Sequence, residues 1–117
     1  MNSGGGKRPP DRRAGTWIKH VIDPTFTQAH NIRTADMNGD GAIDIVISEQ
    51  EQAAGRRVSV FYNNGTGNFL QRILSNGSGH NLALGDADGD GLLDILNAGH
   101  GYYGAPHPVE IYRNRKN

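Results

Sequence analysis

The pattern His-Asn-x-x-x-x-Asp-x-(Asn/Asp)-Gly-Asp-Gly occupies residues 30–41 and returns at 80–91, so two stretches of this chain follow one plan at an offset of 50 residues. The likeness runs past the motif. Ile43-Asp44-Ile45-Val46 parallels Leu93-Asp94-Ile95-Leu96, and Val58-Ser59-Val60-Phe61-Tyr62-Asn63 parallels Val109-Glu110-Ile111-Tyr112-Arg113-Asn114. A repeat of this length is one supersecondary unit, which must stack on a neighbour to bury its apolar face. Only 35% of the 117 residues are hydrophobic, so the core must be thin or shared with something else.

Within each repeat, short β-branched and aromatic runs alternate with Gly, Asn and Asp, which is the pattern of strands joined by turns. The first repeat predicts strands a (32–36), b (43–48), c (58–63) and d (69–74), with Asn63–Asn68 supplying a tight c–d hairpin. The second predicts a (82–86), b (92–96) and c (109–113). Trp17-Ile18-Lys19-His20-Val21-Ile22 resembles Phe69-Leu70-Gln71-Arg72-Ile73-Leu74 and reads as a further d strand, giving the order d-abcd-abc. The fold class is therefore all-β, two four-stranded antiparallel units, with the first d free to close the last unit of a ring. Residues 1–15 are rich in Gly, Pro, Lys and Arg without an apolar h-region, so a disordered arm is expected rather than a signal peptide. Residues 16–117 form the two-repeat unit, with repeats at 30–79 and 80–117 and strand 17–22 closing the ring.

The shared motif places oxygen-bearing side chains at loop positions 1, 3, 5 and 9: Asp36, Asn38, Asp40 and Asp44, then Asp86, Asp88, Asp90 and Asp94. A hard cation such as Ca²⁺ takes about six to eight oxygens, and a loop coiled around it supplies them from alternating residues. Backbone carbonyls of Ala42 and Leu92 fit position 7, and Gly41 and Gly91 permit the sharp turn. Position 12, the bidentate Glu of an EF-hand, is Ile47 or Asn97, and the flanks are strands. Two Ca²⁺ sites per chain are expected. Asp, Asn and Gly are also ordinary turn formers, but two copies in register argue against that alone.

Residues 30–114 resemble FG-GAP or VCBS-type repeats, whose blades carry a calcium loop of the form D-x-(D/N)-x-D-G-x-x-D between their first two strands. The resemblance implies a β-propeller. It leaves the ligand open, because such a fold hosts adhesion, lectin and lyase activities alike.

In an up-and-down blade the a–b and c–d loops share one end, and the d–a and b–c loops the other. The second end collects His30 and His80 with the stretch 97–108, which holds His100, Tyr102, Tyr103 and His107. Adjacent aromatics ringed by polar groups suit the apolar face of a sugar, so a carbohydrate-binding, lectin-like module is the leading expectation. His30 and His80 recur and can gather around an axis to hold a transition metal; the competing class is then a metal-dependent polysaccharide lyase or other sugar-modifying enzyme. A repeated His more often only bonds the adjoining turn. A protein-adhesion or structural module is the third class.

Twelve basic and twelve acidic residues cancel, so no global field draws the chain to nucleic acid. No apolar run approaches the length of a membrane span. The absence of cysteine excludes disulfides and thiolate metal sites. Two repeats leave unpaired edges, so a homo-oligomer is expected in which each N-terminal strand pairs with a neighbour's last strand; three copies give six blades and four give eight. Calcium loops of modest charge suit an extracellular or secreted setting.

Overall fold

The computed structural model describes residues 15–50, 52–99 and 109–115. Seven strands are found there: β1 Ala29–Ala35, β2 Asp44–Glu49, β3 Val58–Asn63, β4 Phe69–Ser75, β5 Asn81–Gly85, β6 Asp94–Ala98 and β7 Val109–Tyr112. They form a four-stranded antiparallel sheet, β1-β2-β3-β4, and a three-stranded one, β5-β6-β7. Among the described residues no helix is long and apolar enough to cross a membrane.

The second strands start later than the hydrophobic pattern predicts. Residues 43 and 92–93 belong to the acidic loops, which end only where Asp44 and Asp94 enter the ladders opposite Ala35 and Gly85. The first strands begin earlier, β1 at Ala29 opposite Glu49, with a register shift between Ala29 and Asn31. The segment 17–22 lies outside every strand, and Trp17 and Ile18 are 90% and 89% exposed. It joins neither sheet: β3 is already flanked by β2 and β4, and the outer edge of β7 carries no strand among the described residues.

Strand alternation sorts each sheet into two faces. Val46 lies opposite Val60, and with Ala35, Val58, Tyr62 and Leu74 they line one face of the first sheet. Leu84, Ile95 and Tyr112 stand in one row of the second, next to Leu82. These two faces meet, and Met37 at the end of β1 joins them into one buried cluster with Val46, Val58, Val60, Leu82 and Ile95. Burying each such side chain is worth roughly 1.5–3 kcal/mol, so the seam between the repeats is where most of the apolar stabilisation sits. Gly79 lies on this seam. A Cβ there would come within 2.6 Å of Asn97 Oδ1 and 2.9 Å of Ser48 Cβ.

Candidate metal loops and the seam between the repeats

The two acidic loops fold alike because the same carboxylates organise the same amides. Asp36 Oδ1 accepts from the N–H of Gly39 (2.8 Å) and Asp40 (3.2 Å), and its Oδ2 from Gly41 (2.8 Å). Asp86 does likewise with Gly89 (2.8 Å), Asp90 (3.2 Å) and Gly91 (2.7 Å). Gly41 and Gly91 hold φ of 90° and 89°, a backbone that a side chain would strain. The N–H of the Gly at position 6, ahead of the other amides, holds Asp36 and Asp86 below the usual carboxylate range. Asp40 and Asp90 turn their Oδ1 onto the N–H two residues on, Ala42 and Leu92, at 2.9 Å.

Position 9 has a role that spacing did not reveal. Asp44 is fully buried; its Oδ2 accepts from Met37 N (2.8 Å) and its Oδ1 from Asn63 N (2.9 Å). Asp94 repeats this with Ala87 N (2.9 Å) and Asn114 N (2.8 Å). One carboxylate thus ties the start of the acidic loop to the end of the third strand. The signal was present in the parallel between Asn63 and Asn114, which both follow strand c.

Asp86, Asp88 and Asp94 each offer an oxygen within 4.8 Å of the other two, the only such cluster of three among the described residues. Partial desolvation within the exposed loop, followed by the neighbouring Asp90 and Asp94 carboxylates, pushes Asp88 above its ordinary value. A cation would relieve that repulsion, and an all-oxygen donor set suits a hard ion. The three carboxylates could therefore hold a metal ion at this loop. In the first loop Asn38 stands where Asp88 does, leaving one charge fewer.

His30 and His80 are brought together at the other end of the seam. Their ring centroids are 4.0 Å apart at an interplanar angle of 33°, and His30 Nδ1 lies 3.2 Å from the His80 carbonyl oxygen. His100, Tyr102, Tyr103 and His107 lie outside the described residues. The seam is further stitched by Leu82 N to Asn31 Oδ1 (3.1 Å) and Asn114 Nδ2 to the Met37 carbonyl (2.6 Å).

Near the same end Glu49, fully buried, binds Arg57 through Nε (2.7 Å) and Nη2 (3.2 Å), and accepts from the N–H of Arg57 (2.9 Å) and Thr27 (3.4 Å). The guanidinium also lies 4.1 Å from the Phe26 ring centroid, 3.1 Å from Thr25 Oγ1 and 3.7 Å from Asp23. This clamp fastens residues 23–27 to the β2–β3 connection. The second repeat has Gly99 where the first has Glu49, so repeat comparison gave no sign of it.

A family model described as an FG-GAP-like repeat matches residues 36–97, more than half of the chain and spanning both acidic loops. No curated protein and no solved structure matches it.

Proposed function

This chain belongs to the FG-GAP-like repeat family, and from that premise we propose that its two sheets are blades of a β-propeller whose acidic loops bind calcium, in a module that binds rather than catalyses. The observation that carries the reading is the convergence of Asp86, Asp88 and Asp94 on one point, in a loop whose backbone is wound by its own carboxylates. The ion's part is to neutralise crowded carboxylates at the end of the seam, so that loop and third strand stay docked through Asp44 and Asp94. Affinity in such loops follows ligand charge, so the second loop, with Asp88, is the tighter of the two. Exposed loops of this kind suit extracellular calcium levels.

The expected result is two calcium ions per chain by titration calorimetry, and a melting temperature that falls in excess EGTA. At a free calcium concentration 100 times Kd each site adds about 2.7 kcal/mol. Asp88→Ala should abolish the tighter site and leave the other. An unchanged melt in EGTA with no calcium heat would sink the assignment.

Carbohydrate is the ligand class we infer for the stretch 97–108, on the strength of the adjacent Tyr102 and Tyr103 flanked by His100 and His107. A glycan array probed with wild type and with Tyr102→Ala/Tyr103→Ala tests it; equal signals from the two proteins would remove the sugar reading.

A further inference from the structure

The internal seam is a template for a second interface that one chain cannot make. The first sheet meets the second through Ala35, Val46, Val58 and Val60, against Leu82, Leu84, Ile95 and Tyr112. The repeat carries each of these surfaces twice. On the far side of the second sheet, the counterparts of Val46, Val58 and Val60 are Leu96, Val109 and Ile111, of which Val109 is 81% and Ile111 41% exposed. On the far side of the first sheet, the counterparts of Leu82, Ile95 and Asn97 are Ile32, Ile45 and Ile47; Ile32 is 53% exposed and the other two half-buried. Phe26 covers Phe61 at 5.8 Å between ring centroids, so the open part of that face lies over β1 and β2. The two open faces are related as the two buried ones are.

The polar stitches have open counterparts too. Asn114 Nδ2 donates across the seam to the Met37 carbonyl, whereas its equivalent Asn63 turns back to Ile43 of its own loop at 3.1 Å. Asn31 receives Leu82 N across the seam, and its equivalent Asn81 is exposed.

A free edge completes the case. β3 is flanked by β4, but β7, its equivalent, has no strand on its outer edge among the described residues. The segment 17–22 resembles β4 in sequence and is exposed, with Trp17 and Ile18 about nine-tenths accessible.

We propose that a second copy of this chain docks head to tail: the far face of one copy's second sheet covers the next copy's Ile32, Ile45 and Ile47, and the latter's segment 17–22 adds to β7 as a fourth strand. The β3–β4 ladder fixes the register. Asn63 opposite Phe69, Phe61 opposite Gln71 and Val60 opposite Arg72 become Asn114 opposite Trp17, Tyr112 opposite Lys19 and Ile111 opposite His20. Ile18 and Ile22 then extend the apolar face of Leu96 and Ile111, and Lys19 falls diagonal to Glu110 on the opposite side. Such a contact is heterologous, so it repeats until the ring closes, three copies giving six sheets and four giving eight. The partner it names deepens the propeller reading and rests on that reading only in treating the sheets as blades.

Sedimentation velocity on the full chain, with and without EGTA, is the first measurement. A closed species of three or four copies is expected at micromolar concentration, and a monomer persisting into the millimolar range with calcium present overturns the proposal. Association without any calcium heat would support docking while removing the metal reading, so the two fail separately. Trp17→Asp/Ile18→Asp alters residues exposed in the single chain, and should give a folded monomer by circular dichroism. Register is read by oxidation of a chain that has no native cysteine. His20→Cys/Ile111→Cys should form a covalent ladder between copies, and Lys19→Cys/Ile111→Cys, on opposite faces, should not. Equal crosslinking in the two variants overturns the strand addition.

Discussion

Replacing Arg57 with Met tests how the N-terminal segment is fastened. Glu49 is fully buried, and its ionised carboxylate is held by two guanidinium nitrogens and two backbone N–H groups. Burial pushes Glu49 up; the Arg57 side chain, then the N–H groups of Arg57 and Thr27, outweigh it and leave the carboxyl below its ordinary value. A Met at 57 fills similar volume but leaves the charge facing only the two amides, and orphaning one partner of a buried pair costs about 3–5 kcal/mol. The pH dependence should also weaken. In the wild type the lowered pKa contributes stability that is present above the unfolded value, near 4.5, and is lost as pH falls through the folded one. In the variant only the two backbone N–H groups still oppose desolvation, so the folded pKa rises and the stability gained on raising the pH shrinks. Urea unfolding at pH 5 and pH 8 reads both effects. The double variant Glu49→Gln/Arg57→Met, which removes both charges, should recover most of the loss. A cost for Arg57→Met below about 1 kcal/mol, with the wild-type pH slope, would refute the reasoning.

Two further substitutions separate the structural anchors from the ion. Asp44→Asn removes one of two acceptors that hold Met37 N and Asn63 N, and should cost about 1–3 kcal/mol in urea even with EGTA present; a loss confined to calcium-loaded protein would make Asp44 a ligand only. Gly79→Ala pushes a methyl into Asn97 and Ser48 at the seam and should lower stability by about 1–3 kcal/mol, whereas an unchanged denaturation midpoint would mean that the sheets sit further apart.

The acidic loops were legible because their chemistry is local. Asp36 and Asp86 bind amides three to five residues away, and such contacts leave a fixed spacing in the sequence. The pattern puts strand c of the first repeat at 58–63, where it is found, since Val58–Asn63 carries both apolar patterning and a turn immediately after it. The same pattern starts strand b too early, because Ile43 and Leu93 look like strand residues although the loop has not yet closed on Asp44 and Asp94. The Glu49–Arg57 clamp has no local signature: an isolated Glu and Arg eight residues apart resemble solvated surface charge until a bend folds one onto the other.

What the sequence determined is the repeat, its β character and the two oxygen-lined turns, because each follows from residue types at short, constant intervals. What the tertiary structure decided is which faces meet. Alternation says that Val46 and Ile47 point to opposite sides of a sheet, but both are apolar, and only the docking of the second repeat buries Val46 while leaving Ile47 at the open face. That choice depends on contacts between residues such as Asn31 and Leu82, or Met37 and Asn114, that are distant along the chain and have no local period to announce them.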